Sequence, residues 1–384
     1  MRLCTTGRVR KTSSVARSKS GDARPSATSL LLSFVCAGLL LLGVPVVAAQ
    51  RSSVAANSKV QDSTDEERSA VKVEVSSELN LLRDCLARSD TKCAIQIFSR
   101  LRDPKLNEDP QYLDLSAQVM SLEHKEPEAL AAIDRAIKME PTSASYPLTK
   151  GKIFQRSHDQ VNAIQYFLAA ARLRPGWVEP VYFLGMSFFI LGNEEKDNQY
   201  YDRATRHFKA ALELDSGCHK AEFMLGVVDA LEDHLEKAKE HVEKALNMSS
   251  QNAYYHLEYG ILLNRMGDSA RASGEMRLAE TLDHSNPFAY FNLGRLEMRR
   301  ENYPEARKQL ETAVQLDPNL SVAYYWLGQL YQRLGLSKLS QAAYQNFKLA
   351  KTHEQQEDSD PIEAALSQSS LAARDTLPEQ DSRK

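Results

Sequence analysis

Histidines and cysteines are the residues of this chain best suited to hold a metal or to attack a substrate. None of the nine histidines stands in an H-E-x-x-H motif, and no C-x-x-C pair accompanies them. His234 and His241 are two helical turns apart, a spacing that suits either a ligand pair or a solvated helix face. We interpret them as part of a solvated face. The sequence therefore predicts no metal site and no cofactor.

Motifs for phosphate binding and acyl transfer are also missing from the sequence. There is no G-x-x-x-x-G-K-[ST] loop that would cradle phosphates and no G-x-S-x-G turn that would present a nucleophilic serine. Asp and Glu are abundant, but on amphipathic helices they usually form the solvated face, and no acid and base pair can be singled out. We predict that the chain is not an enzyme.

Two cysteines lie close together in the sequence. Cys85 falls near the end of one predicted helix and Cys93 near the start of the next, so the turn between them could bring them together. In an oxidising compartment a disulfide would pin this terminal hairpin. Two separate buried thiols are equally compatible with the spacing. Cys218 is interpreted as a lone packing residue.

Glycines at a fixed spacing indicate which elements would position these residues. Gly226, Gly260, Gly294 and Gly328 are 34 residues apart, and Gly151 and Gly185 extend the series upstream. Ala117 lies 34 residues before Gly151 and marks the same series. Small residues recur 12 and 19 positions after most of these markers, beginning with Ala129 and Ala136 after Ala117. Two helices can approach closely only where the facing side chains are small. The columns therefore predict a repeated helix hairpin.

Three features resemble the tetratricopeptide repeat family: the 34-residue period, the small-residue columns and a proline that ends many repeats. The family pattern is kept best in Tyr182-x-Leu184-Gly185-x2-Phe188 and in Tyr324-x-Trp326-Leu327-Gly328-x2-Tyr331. The resemblance implies an all-α, right-handed superhelical solenoid of about eight helix-turn-helix repeats over residues 75–351. Its first copy, residues 75–106, is degenerate. Seven extra residues around 193–201 are expected to form a loop, either a recognition loop or a solvated extension of the turn.

The N-terminus carries an export pattern. Seven basic residues precede an uncharged run from Leu30 to Ala49, and Val47-Ala48-Ala49 before Gln50 resembles a cleavage site. We predict that residues 1–49 are a cleaved signal peptide, because Pro45 would break the apolar helix just before that site. The run is also long enough to span a bilayer, so an uncleaved anchor at residues 30–49 stays open.

The segments that flank the repeats are polar. Residues 50–74 and 352–384 are rich in Ser, Gln, Asp and Glu, and both are predicted to be disordered, as a linker and an acidic tail. Cleavage after Ala49 would remove seven basic residues and one acidic residue, which leaves about 41 Lys and Arg against about 50 Asp and Glu. Nucleic-acid binding is not expected of a chain this acidic, since it depends on cationic contacts to phosphates.

The resemblance also implies a concave groove lined by the first helix of each repeat. Aromatic residues and arginines interleave there, a combination that suits an extended peptide carrying carboxylates. The alternative is that these rings pack between adjacent first helices. The predicted peptide-binding residues are Tyr182, Met186, Phe189, Tyr254, Leu257, Arg265, Phe288, Phe291, Arg295, Arg299, Tyr325 and Arg333. The lysine and asparagine of the family's chaperone-tail clamps are missing from the equivalent columns.

These observations predict a non-enzymatic scaffold that binds a protein or peptide partner. The leader predicts export to the periplasm or cell envelope, where resemblance to helpers of pilus, secretion or polysaccharide-export assembly suggests an assembly role. The alternative is an accessory arm of a glycosyltransferase or protease complex whose catalytic part is on another chain. The repeats leave no stretch of roughly a hundred residues in which a catalytic domain could fold.

Overall fold

A computed structural model describes residues 76–88, 90–101 and 104–354. The predicted signal peptide, the predicted linker and the tail beyond residue 354 lie outside these ranges. By its internal contacts the chain divides into Met1–Glu67 and Arg68–Lys384, and every described residue belongs to the second unit. Among the described helices, none combines the length and the apolar character needed to cross a bilayer.

The described residues form eight consecutive helix hairpins, as the repeat pattern predicts. The sixteen α-helices are α1 (76–87), α2 (Thr91–Phe98), α3 (Pro110–Leu122), α4 (Glu126–Met139), α5 (Ser145–Arg156), α6 (Gln160–Leu173), α7 (Val178–Glu195), α8 (Asn198–Leu214), α9 (His219–Leu231), α10 (Leu235–Met248), α11 (Ala253–Arg265), α12 (Ser269–Leu282), α13 (Pro287–Arg299), α14 (Tyr303–Leu316), α15 (Ser321–Arg333) and α16 (Ser337–Glu354). A short 3₁₀ helix, Pro104–Glu108, lies between α2 and α3.

The marker glycines allow the two helices of a hairpin to pack closely. A Cβ atom placed on Gly151 would lie 2.5 Å from the ring of Phe167, and one placed on Gly294 would lie 2.6 Å from Cγ of Leu310. Phe167 and Leu310 are fully buried in the second helices of their repeats. The predicted reason for the glycine column, close approach of facing helices, is therefore confirmed.

Short polar residues and prolines set the helix boundaries. Asp159 caps α6 by accepting from the backbone N–H of Asn162 at 3.0 Å, and Asp268 caps α12 in the same way at 3.1 Å. Proline follows within two residues of the ends of α4, α6 and α14, where it cannot continue the helix. These boundaries hold the hairpins in the register that the sequence indicated.

The seven extra residues do not form the predicted loop. They lengthen α7 and α8 instead, to 18 and 17 residues, and only Lys196 and Asp197 separate the two helices. The Tyr201 hydroxyl donates to Oδ1 of Asn193 at 2.8 Å, and the Tyr201 ring covers Gly192. Side chains that pack one helix extension against the other therefore replace a solvated turn.

Successive hairpins stack through both of their helices. Each second helix contacts the first helix of the next repeat, as α4 contacts α5 and α10 contacts α11. First helices also contact one another, as α3 contacts α5 and α13 contacts α15. We call α3, α5, α7, α9, α11, α13 and α15 the inner layer. Any surface shared by several repeats, such as a binding groove, can be built on this layer.

Candidate functional site

Several residues of the predicted groove belong to the core. Phe291 is 1% exposed and lies in one buried cluster with Leu310 and Leu327, and Arg295 is 2% exposed with its guanidinium 5.7 Å from the centre of the Phe291 ring. Met186, Phe189 and Leu257 are buried as well. The expectation that Phe291 and Arg295 form an open binding surface was therefore wrong.

Other predicted groove residues are partly or fully exposed. Phe288 is 43% exposed, and Arg299 and Arg333 are exposed at the ends of α13 and α15. Tyr325 is half-buried against Phe347, with ring centres 5.7 Å apart. These residues keep their predicted binding role as a hypothesis.

Three more predicted groove residues are half-buried and already contact other residues of the chain. The Tyr182 ring lies 5.8 Å from the Phe208 ring, and the Tyr254 ring lies 5.4 Å from the Phe223 ring. Burial raises the pKa of the Tyr254 hydroxyl well above its usual value. Arg265 donates to the backbone carbonyl of Ala230 at 3.2 Å. The Tyr254 contact agrees with the alternative in which such rings pack between adjacent first helices, whereas Tyr182 packs against the second helix of its own repeat.

A cavity of about 320 Å³ lies at the N-terminal end of the inner layer. Its volume is within the range of small-molecule and peptide side-chain pockets. We call it the N-terminal cavity, and it is lined by Leu86, Asp90, Thr91, Gln118, Ser121, Leu122, Thr149, Lys152, Ile153, Gln155, Arg156 and Phe183. Helices α3 and α5 supply most of these residues, while the α1–α2 turn and α7 close the two ends.

Buried polar atoms at the N-terminal cavity lack hydrogen-bond partners among the described residues. Ser121 is 2% exposed, and its Oγ makes no hydrogen bond. Asp114 lies one turn before Gln118 on α3, and its Oδ1 is also without a partner, although Oδ2 accepts from Nε2 of Gln118 at 3.2 Å. Leaving such atoms unsatisfied is costly, so they mark a polar region of α3 beside the cavity.

The electrostatics around Asp114 reinforce this interpretation. Burial raises the pKa of the Asp114 carboxyl to about 6, while a hydrogen bond from Thr149 and the charge of Lys152 act in the opposite direction. Thr149 and Lys152 both line the cavity. An acid with a perturbed pKa beside a cleft is more often found at functional sites than elsewhere.

Charged and apolar side chains share the rest of the cavity wall. Lys152 pairs with Glu179 at 2.6 Å, and its Nζ lies 4.7 Å from the centre of the Phe183 ring. Gln155 is buried and donates to Oγ of Ser187 at 2.9 Å, which fixes the floor between α5 and α7. The cavity can therefore hold an apolar side chain next to a cationic group, as recognition of an extended peptide requires.

The residues that line this cavity lie in columns of the repeat pattern, but they were not predicted as a site. Positions one, four and five after a marker residue were read as groove positions in the later repeats. In the two repeats marked by Ala117 and Gly151, the same positions are Gln118, Ser121, Leu122, Lys152, Gln155 and Arg156. These residues are mostly polar, whereas the predicted groove was defined by aromatic rings and arginines, which are more frequent in the C-terminal repeats.

Comparison with known proteins identifies the repeat. A family described as "TPR repeat" matches residues 294–335. No curated protein matches the chain. Among solved structures, a chain of the APC/C hetero-tetramer Cut9-Hcn1 is similar at 19% identity and a TM-score of 0.55, covering 76% of this chain and 56% of that one. The present chain thus spans little more than half of that relative.

Two further solved structures share less of the geometry. A tetratricopeptide repeat protein from Parabacteroides merdae is 14% identical, with a TM-score of 0.46 and coverage of 70% of this chain and 98% of that one. YrrB, described as a TPR protein with an unusual peptide-binding site, is 18% identical, with a TM-score of 0.37 and coverage of 50% of this chain and 95% of that one. The matched segment shows a tetratricopeptide repeat at residues 294–335, and the 34-residue register and the stacked hairpins agree with a solenoid of such repeats.

Proposed function

We propose that this chain is an exported, non-enzymatic scaffold that binds an extended segment of a partner protein on its inner layer. Tetratricopeptide repeats are protein-interaction modules, and this chain is built from them. The observation that carries the finer proposal is the N-terminal cavity, to which three neighbouring inner-layer helices contribute, with Ser121 from α3, Lys152 from α5 and Phe183 from α7.

The chemistry of the cavity defines the partner segment. Lys152 and Arg156 carry positive charge at the cavity, so a carboxylate side chain of the ligand would share Lys152 with Glu179. Leu122, Ile153 and Phe183 offer apolar contact. The expected ligand is therefore an extended peptide with an apolar residue close to an acidic residue.

Export is part of the proposal and has two supports. One is the basic leader with its apolar run and the Val47-Ala48-Ala49 site. The other is the disulfide between Cys85 and Cys93, which suits an oxidising compartment. N-terminal sequencing of the protein from its own cells should find Gln50 first, whereas an intact Leu30–Ala49 segment would indicate an anchor. An envelope-assembly role is the setting that we propose for such a scaffold.

Selection of peptides from a random displayed library against the full chain tests the binding proposal. The affinity of a selected peptide is then measured for Ser121→Leu, which fills part of the cavity, and for Lys152→Gln, which removes its positive charge. Both should weaken binding about tenfold or more, because the ligand loses space or a charged contact. Lys308→Gln, an exposed lysine on the second helix α14, is the matched control and should change nothing.

The result can contradict the proposal in two ways. Peptides that bind Ser121→Leu and Lys152→Gln as well as they bind the unaltered chain would remove the cavity as the site. Loss of binding in Arg299→Ala with Arg333→Ala, but not in the cavity variants, would place the ligand at the C-terminal repeats instead.

A further inference from the structure

Five titratable side chains meet at the turn between α9 and α10. His234 Nδ1 lies 3.7 Å from Oδ1 of Asp229 and 3.5 Å from Oε2 of Glu232. One ligand atom from each of these three residues falls within 4.8 Å of the others. His241, two turns along α10 from His234, directs Nε2 toward Oδ2 of Asp229 at 3.7 Å. Asp229, Glu232 and His234 thus form one cluster, and His241 approaches the same aspartate through its other carboxylate oxygen.

These separations suit a tetrahedral metal ion. Zinc bonds to nitrogen and oxygen are about 2.0–2.1 Å long, so neighbouring ligand atoms of a tetrahedral site lie about 3.3 Å apart. The three measured separations of 3.5 and 3.7 Å need only small side-chain movements to reach that value. His234 and Glu232 are exposed enough to move in this way.

Glu222 orients His241 for such a role. The Glu222 carboxylate is 9% exposed and accepts from His241 Nδ1 at 2.5 Å. A histidine that donates one ring N–H to a carboxylate presents a lone pair on its other nitrogen. Here that nitrogen, Nε2, faces the carboxylate of Asp229, and two electron-rich atoms face each other favourably only when a proton or a cation lies between them. Carboxylate–histidine–metal arrangements have this layout.

We propose that the α9–α10 turn binds a divalent transition metal of the zinc class through Asp229, Glu232, His234 and His241, with Glu222 as the orienting partner. The donor set of two imidazoles and two carboxylates favours zinc and its neighbours over calcium or magnesium, which prefer oxygen ligands alone. Arg265 on the adjoining repeat pairs with Asp233. The site would join α9 to α10 at the edge of the array.

Isothermal titration of the metal-free full chain with Zn²⁺ tests this proposal, using protein without a polyhistidine tag. One Zn²⁺ per chain should bind. His234→Ala and His241→Ala should each weaken binding at least tenfold, and Glu222→Gln should weaken it about 10- to 100-fold, as loss of an orienting carboxylate does elsewhere. His284→Ala, an exposed histidine on another repeat, and Cys218→Ser are matched controls that should keep the affinity. Circular dichroism checks that each variant folds.

Cobalt gives an independent readout. Co²⁺ in the same site should show the visible absorption of a tetrahedral nitrogen and oxygen environment, without thiolate charge-transfer bands. The proposal is overturned if the chain binds no stoichiometric Zn²⁺, if the two histidine variants bind as tightly as His284→Ala, or if Ca²⁺ binds in place of Zn²⁺.

Discussion

Single glycines determine how closely the helices of each hairpin approach. A Cβ on Gly260 would lie 2.7 Å from Cγ of Met276 and 3.0 Å from the backbone carbonyl oxygen of Ala272. The methionine side chain can rotate away, but the carbonyl oxygen belongs to α12 and cannot move without shifting the helix. Gly274, on the same helix α12, offers the opposite environment, since nothing lies within 4 Å of its hypothetical Cβ.

Alanine at these two glycines should therefore change stability in opposite directions. Gly260→Ala should lower the free energy of unfolding by about 1–3 kcal/mol, because overpacking outweighs the gain in helix propensity. Gly274→Ala should raise it by up to about 1 kcal/mol, because only the propensity gain remains. Urea denaturation of both variants measures the difference. A stabilising Gly260→Ala would show that the crossing is not closely packed.

The buried carboxyl of Asp114 makes a second prediction at this scale. Its pKa of about 6 in the folded chain lies above the ordinary value of 3.8, so the folded state binds this proton more tightly than the unfolded state. The contribution of Asp114 to stability is therefore favourable below pH 4 and is lost as the pH rises to about 6. The loss amounts to about 3 kcal/mol, at 1.36 kcal/mol for each pKa unit.

Replacement by asparagine should remove this pH dependence. Between pH 4 and pH 7 the free energy of unfolding of the unaltered chain should fall by about 2 kcal/mol more than that of Asp114→Asn. Asp84→Asn, an exposed aspartate on α1, serves as the control and should follow the unaltered chain. Parallel pH curves for Asp114→Asn and the unaltered chain would show that Asp114 is not the buried acid described above.

At the scale of elements, the first hairpin is held by a covalent link. Cys85 on α1 and Cys93 on α2 form a disulfide with their Cα atoms 5.7 Å apart. The residues enclosed by this link include Leu86, Asp90 and Thr91, which form one wall of the N-terminal cavity. The disulfide therefore fixes part of the proposed binding site as well as the end of the array.

Loss of the disulfide should loosen this hairpin selectively. In the chain-entropy account, a disulfide that closes a loop of this length stabilises the folded state by roughly 2–3 kcal/mol. Replacing both cysteines by serine should speed hydrogen exchange over residues 76–98, while exchange in α13 to α16 stays unchanged, because each repeat contacts only its neighbours. Equal exchange of α1 and α2 in both proteins, or free thiols at both positions in the native protein, would contradict the prediction.

The elements that were predicted well from the sequence are those fixed by close helix contacts. Gly151 and Gly294 face large side chains at short distance, so only small residues fit at these positions. Their 34-residue period is therefore visible in the sequence. The extension of α7 and α8 was not predictable in this way, because it depends on contacts such as Tyr201 to Asn193, which lie within the extra residues themselves. The burial of Phe291 and Arg295 depends on how neighbouring repeats stack, which a repeat pattern does not specify.

At the scale of the described array, the binding surface and the proposed metal site lie on different repeats. The N-terminal cavity is built mainly from α3 and α5, whereas the His and carboxylate cluster lies at the α9–α10 turn. A solenoid transmits structure mainly between neighbours, so the two sites can be altered separately. Zn²⁺ should therefore leave the affinity for a cavity-bound peptide nearly unchanged.

The most direct test of the central claim, that a peptide binds at the N-terminal cavity, is site-specific photo-crosslinking. A photoreactive amino acid is placed at Leu122 in the cavity wall or at Leu168, a 38% exposed position on the second helix α6. Each protein is irradiated with the same library-selected peptide, and the adduct is measured by mass spectrometry. Our account predicts a crosslink from position 122 and little from position 168. A crosslink from 168 alone, or equal crosslinks from both positions, would contradict it.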